Sequence, residues 1–289
     1  MKDYVIRAID EEKSIRVFIA TSTNMVEKAR NIHNTFPVAT AALGRSITAA
    51  SIMGLMLKGD KDKITLQFRG DGPINNILAV SNNKGQVKGY LSNPHIDVPN
   101  REDGKLNVGK AVGRGKLIVI RDLGLKKPYI GQANIISGEI AEDLANYFAA
   151  SEQQPSAVAL GVLINRDISV KAAGGAIVQV LPNISEERIS KLEENLKELS
   201  SISTLIDEGL SPEEILKKVF GEFNMKITEK EEIEYICDCS KERMEKALIS
   251  LGESEIKEMI EEDGEAEIVC HFCNKKYKFS KTELEDMLN

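Results

Sequence analysis

The sequence predicts an α+β protein in three parts: a mixed-sheet core domain over 1–180, a helical linker over 181–231 and a small C-terminal domain over 232–289. Three observations predict it. Strand-like and helical stretches alternate without a regular βαβ rhythm, which favours α+β over a doubly wound sheet. After Pro182 the composition turns rich in Glu and Lys on a helical period. All four cysteines lie in the last 57 residues, as two tight pairs, Cys237-Asp238-Cys239 and Cys270-His271-Phe272-Cys273.

The core domain opens with strands at Tyr4 to Ile9 and Ser14 to Ala20, separated by a turn at Asp10-Glu11-Glu12-Lys13. The acidic turn directly after Met1 to Arg7 is not the apolar run of a secretory signal. Thr23 or Asn24 caps a helix to about Asn34, and Pro37 separates it from the next. Ala39 to Leu57 is the longest apolar stretch. Arg45 in its middle, with Thr40, Ser46, Thr48 and Ser51, makes a membrane span expensive, so it reads as a buried core helix. Lys63 to Arg69, Ile74 to Val80, Gln86 to Ser92 and Lys116 to Arg121 read as strands, with a hairpin turn at Asn82-Asn83-Lys84-Gly85. Gly138 to Ala150 has helical spacing. Val158 to Asn165 and Ala176 to Leu181 complete the strands. Gly113-Arg114-Gly115 and Gly174-Gly175 lack the spacing and the Lys-Ser/Thr of a phosphate loop and read as turns, so no nucleotide site is expected.

In the linker, Ile189, Leu192, Leu196 and Leu199 form a thin apolar stripe. A second helix is marked by Ser211 as N-cap, Pro212 at the first helical position and Glu214 closing a capping box. Its apolar face is Ile215, Leu216, Val219 and Phe220, and Gly221 ends it. So little apolar surface cannot hold the segment alone, and it must lean on a neighbour.

Charge is unevenly placed. Residues 233–289 carry fifteen acids against eight bases, a net of −7, and the rest of the chain holds thirty of each. An acidic surface repels phosphate backbones, which disfavours a zinc-dependent nucleic-acid-binding module. Two close cysteine pairs, thirty residues apart, can present four sulfurs to one tetrahedral zinc. The same four thiols could instead close two short disulfides, so the domain reads as a zinc-binding redox switch. Clustered cysteines without a secretory signal fit a reducing, cytoplasmic setting. Ser240 caps a helix reaching Leu251, Glu255 to Glu262 forms another, strands at Ala266 to Val269 and Lys275 to Phe279 flank the second pair, and Ser280 with Glu283 boxes a final helix. With few aromatics and excess negative charge, this domain has a marginal core of its own. A thiol–disulfide oxidoreductase using Cys270 and Cys273 is the alternative. It requires an open, activated thiol, which a closed four-thiolate zinc site denies. His271 is expected beside the turn rather than as a ligand.

The segments C-D-C-S-K-E-R and C-H-F-C-N-K-K-Y, with E-M-I-E-E-D-G-E-A-E between them, resemble the redox-regulated bacterial heat-shock chaperones of the 33 kDa chaperonin family. The likeness continues through T-A-A-L-G-R-S, G-D-G-P-I, G-Y-L-S-N-P, V-I-R-D-L-G-L-K-K-P-Y, S-G-E-I-A-E-D-L-A-N-Y-F, S-E-Q-Q-P-S-A and A-A-G-G, so it covers essentially the whole chain. The resemblance implies a cytoplasmic, ATP-independent holdase rather than an enzyme, serving in heat shock and oxidative stress. It implies one Zn2+ per chain on Cys237, Cys239, Cys270 and Cys273 in the reduced, inactive state. On oxidation it implies the disulfides Cys237–Cys239 and Cys270–Cys273, zinc release, disorder of the zinc domain and linker, homodimerisation, and capture of unfolding client proteins. Neither nucleotide, nucleic acid nor membrane is implied as a partner.

Overall fold

Tyr4–Asp10 (β1) and Ile15–Thr21 (β2) form the expected first hairpin, its turn closed by Lys13 N–H donating to the Asp10 carbonyl. The computed structural model describes residues 2–182, 184–199 and 201–288. These residues divide into two compact units, 1–235 and 236–289.

In the first unit the hairpin leads into helices Thr23–His33 (α1) and Pro37–Leu55 (α2). Pro37 opens α2 rather than merely separating two helices, because its locked φ and missing N–H suit the first helical position. Ser22, not Thr23, occupies the N-cap position of α1. The Thr23 hydroxyl instead accepts from Ala173 N–H at 3.0 Å. Then come Lys63–Gly70 (β3), Asn76–Asn82 (β4), Gln86–Leu91 (β5), Val108–Val112 (α3), Gly115–Asp122 (β6), Tyr129–Ile135 (β7), Ala141–Glu152 (α4), Ser156–Ile164 (β8) and Val170–Val180 (β9). Glu186–Leu199 (α5), Ile202–Asp207 (α6), Pro212–Phe220 (α7), Met225–Glu232 (β10) and Glu234–Tyr235 (β11) complete the unit.

Two sheets result. One has the antiparallel order β10-β1-β2-β9-β8. The other runs β11-β5-β4-β3-β6-β7, antiparallel except where β11 pairs parallel with β5. Helix α2 packs against strands of both sheets and is buried along nearly its whole length, so a stretch long and apolar enough to span a membrane is here the centre of a core. Its hydroxyls all find partners there, whereas among the described residues the buried Nε of Arg45 has none. Ser46, Thr48 and Ser51 hydroxyls donate to carbonyls four residues back, and Arg45 meets the Glu139 carboxylate at 2.6 Å.

The outer face of the five-stranded sheet carries Tyr4, Ile6, Ala8, Ile15, Val17, Ile19, Ala176 and Val178. Helices α5, α6 and α7 cover it with Leu192, Leu199, Ile202, Leu205, Ile215, Leu216, Val219 and Phe220. This is the neighbour the thin stripe of residues 189–199 requires. Two polar contacts accompany the apolar ones. Arg188 of α5 reaches the fully buried Asp10 carboxylate at 2.7 Å, and the Tyr4 hydroxyl donates to Glu213 of α7 at 2.6 Å.

Gly174-Gly175 is not a turn but lies inside β9. A Cβ on Gly174 would sit 2.2 Å from Ile206 of α6, and one on Gly175 2.5 Å from Leu160. Gly174 lets α6 approach the sheet and Gly175 leaves room for the Leu160 side chain of β8, tertiary requirements that local pattern does not announce. The capping box of α7 forms as read, with Ser211 Oγ accepting from Glu214 N–H and the Glu214 carboxylate accepting from Ser211 N–H. Gly221, however, stays right-handed and passes into a 3-10 turn (Gly221–Phe223). Asn224 takes the left-handed position that ends the segment.

Candidate metal centre

The second unit contains Lys241–Ile249 (α8), Glu253–Glu262 (α9), the hairpin Glu265–Val269 (β12) with Lys276–Ser280 (β13), and Lys281–Asp286 (α10). Its buried core is small: Leu248, Ile256, Cys270, Tyr277, Phe279 and Leu284. Ser240 Oγ accepts from Arg243 N–H to start α8, and Ser280 with Glu283 boxes α10.

The hairpin builds half of the site. Between β12 and β13 the chain turns through Cys270-His271-Phe272-Cys273. Cys273 N–H and Asn274 N–H both donate to the Cys270 carbonyl, and Cys270 N–H donates to the Lys275 carbonyl. Asn274 takes φ 56°, the left-handed conformation this tight return needs and that Asn tolerates. The result is a knuckle that turns two sulfurs to one side. The other half comes from the irregular stretch between β11 and α8. Residues two apart share a side in extended backbone, so a single intervening residue between Cys237 and Cys239 suits a segment that is not a knuckle.

The four sulfurs all lie within 4.8 Å of one another. The Cys237 and Cys270 Sγ atoms are 3.7 Å apart, and those of Cys239 and Cys273 are 3.3 Å apart. A tetrahedral ion with sulfur ligands at about 2.3 Å sets its ligands about 3.8 Å from each other, so the cluster has the dimensions of one such site. The donor set is all sulfur, which suits a soft ion with a closed coordination shell. His271 is exposed and outside the cluster, as its sequence position suggested. Cys270 is the most buried of the four at 5% exposure.

The thiols differ in acidity. Burial raises the Cys237 and Cys273 thiols, and for Cys237 hydrogen bonds with the neighbouring sulfurs add to the rise. Burial also opposes ionisation of Cys239, but hydrogen bonds from Tyr277 and the other cysteines outweigh it and hold that thiol at about 7. The Tyr277 hydroxyl donates to Cys239 Sγ at 3.1 Å, and that bond drives its own acidity the other way. Tyr277 is the site residue that the sequence reading passed over. Its signal was the alternation Tyr277, Phe279 on a strand following the knuckle, which marks an inward face beneath the sulfurs.

Fold and site together define a two-unit α+β protein whose smaller unit gathers four thiols around a space for one soft metal ion. Residues 3–280 match the family model described as Hsp33 protein. The chain is 53% identical over 290 residues to the 33 kDa chaperonin of Alkaliphilus metalliredigens, spanning 100% of this chain and 99% of that one. It is 52% identical to the 33 kDa chaperonin of Clostridioides difficile over 289 residues, with the same coverage. The crystal structure of the 33 kDa chaperonin from Thermotoga maritima superposes with a TM-score of 0.92 at 40% identity, covering 100% of this chain and 98% of that one. The chain belongs to the Hsp33 family of chaperones.

Proposed function

We propose that this chaperone is a redox-regulated, ATP-independent holdase with one zinc ion per chain as its resting lock. The observation that carries the reading is a four-thiol cluster in a unit that, among the described residues, buries six core side chains, one of them Cys270 itself. Structural zinc contributes on the order of 10–16 kcal/mol of apparent binding free energy in small modules, more than so thin a core supplies. Cys237, Cys239, Cys270 and Cys273 hold the metal as thiolates. Peroxide takes two electrons from each pair and is reduced to water, leaving the disulfides Cys237–Cys239 and Cys270–Cys273. Disulfide sulfur no longer holds zinc, and the unit unravels. The linker, 181–231, then leaves the core domain, and its apolar face and the sheet beneath it become available to unfolding clients. The active form is a homodimer in the cytoplasm, acting without nucleotide, nucleic acid or any catalytic step. The burial of Cys270 counts against its service as an open attacking thiol in an oxidoreductase.

The test is a peroxide titration that follows zinc release and suppression of client aggregation in the same samples, with peptide mapping of the product. Zinc release and client protection should rise together, with disulfides inside each cysteine pair. Equal protection by the reduced, zinc-loaded protein would overturn the switch. Dominant Cys237–Cys270 or Cys239–Cys273 links, the nearest sulfur contacts, would overturn the pairing.

A further inference from the structure

We infer that the first unit contains a separate binding site for an inorganic oligophosphate, in the cavity of about 580 Å³ between the C-terminal end of α2 and strands β1, β2 and β10. This inference is independent of the redox reading.

Arg16 lies on β2 and lines this cavity. Its guanidinium is half-buried, yet among the described residues no carboxylate lies within ion-pair distance of it. Nε and Nη2 both donate to Gln179 Oε1, at 3.1 and 2.6 Å, which fixes the fork without neutralising it. Arg7 of β1 stands on the same buried ring. The two guanidinium carbons lie 5.6 and 5.7 Å from the Phe18 centroid. Arg7 has a carboxylate, Glu229, at 2.8 Å, and Arg16 has none. Burial first, and the charge of Arg7 second, make the protonated guanidinium of Arg16 costly. A charge held at such a cost, rigid and uncompensated, marks a place for an anion.

The surroundings specify which anion. Lys58 and Lys84 also line the cavity, and among the described residues neither has an ion-pair partner. Glu231 is the one further acid in the lining, so four cations face two carboxylates, a surplus of two positive charges. Asn83, which also lines the cavity, has a buried Oδ1 with no hydrogen-bond partner among the described residues. A monocarboxylate carries one charge and would leave most of the surplus unmet, whereas a chain of phosphates carries charge enough for all three free cations. No aromatic side chain lines the cavity, so a nucleotide base would find no stacking face, and the phosphates alone are recognised. Arg16, Met56 and Leu57 also line a neighbouring cavity of about 230 Å³, which places the guanidinium at the junction of the two spaces.

The experiment is isothermal titration of the full-length, reduced, zinc-loaded protein with sodium tripolyphosphate, at low and at physiological salt. Saturable one-site binding is expected, weakened at least ~tenfold by Arg16→Gln and by the double change Lys58→Ala with Lys84→Ala. Lys126→Ala with Lys127→Ala, on an exposed loop, should leave it within ~twofold, and ATP should bind no tighter than tripolyphosphate. The two lysines are exposed, so their variant folds even if Arg16→Gln does not. Absence of saturable binding, an unchanged constant in the Lys58/Lys84 variant, or an equal loss in the Lys126/Lys127 control would each overturn the site.

Discussion

The two units reach stability by different routes. The first buries a helix of nineteen residues between two sheets and roofs one of those sheets with three more helices. Its order is distributed over many side chains, and no single group decides it. Among its described residues the second buries six side chains, and one of them, Cys270, belongs to the four-sulfur cluster. Its order is concentrated in one cluster. Of the two, the second is therefore the more vulnerable to a single chemical event at its sulfurs.

Removing the metal should separate the units most sharply. Chelation is expected to abolish amide protection across 241–286, a loss on the order of 10–16 kcal/mol of metal-linked free energy, while 4–180 stays protected. Hydrogen exchange measures both at once, and persistent protection in 241–286 would break the comparison. Serine at Cys237, Cys239, Cys270 or Cys273 comes next. Each change should weaken zinc binding ~1000-fold, about 4 kcal/mol, whereas His271→Ala should leave it unchanged in a competition titration. Full zinc retention by any one serine variant would reduce the ligand set.

The helices over the five-stranded sheet lie between these extremes. Leu192→Asp with Leu196→Asp places charge on the packed face of α5 and should cost ~3 kcal/mol. We expect this reduced, zinc-bound variant to suppress client aggregation and to exchange amides faster across 186–220. If it stays inactive with those helices demonstrably detached, the linker is not the gate. Arg188→Met should act in the same direction by ~2 kcal/mol. It leaves the buried Asp10 carboxylate with only its hydrogen bonds from Ser14 and Ile15, and denaturant melting of the first unit reads the loss.

The smallest effect concerns acid. The Glu27 carboxyl titrates below its usual value near 4.5, chiefly because Arg30 donates to it, although partial burial opposes the shift. The unfolded chain therefore binds that proton more tightly than the folded one. The contribution is full above pH 4.5 and is lost as pH falls through the lower folded value. Thermal melts of Glu27→Gln between pH 6 and pH 3 should show a shallower acid slope than the parent, by under ~1 kcal/mol. An unchanged slope would remove Glu27 from the acid response.

Much of this was legible in the chain. The α+β class, most strands of the core, the capping boxes at Ser211 and Ser280 and the convergence of the four cysteines all follow from local pattern. Three exceptions share a cause. β10, Met225–Glu232, is exposed along nearly its whole length and nearly all polar, an edge strand with no apolar alternation to betray it, specified by its pairing with β1. Gly174-Gly175 reads as a turn until α6 is seen against it. Tyr277 looks like core until its hydroxyl is seen on Cys239. Each depends on a partner distant in sequence, which a local pattern does not carry.

Tyr235 is the last residue of the first unit. Its ring is 1% exposed, its hydroxyl donates to the Gly89 carbonyl at 2.7 Å and accepts from Gly89 N–H, and His33 Nε2 lies 3.2 Å away, two residues before the first cysteine. It works as a stopper knot in a rope. It ties the chain to Gly89 and His33 of the first unit through bonds that involve none of the sulfurs. The stretch 236–289, fifty-four residues beyond that mooring, would span roughly 40 Å as a flexible coil.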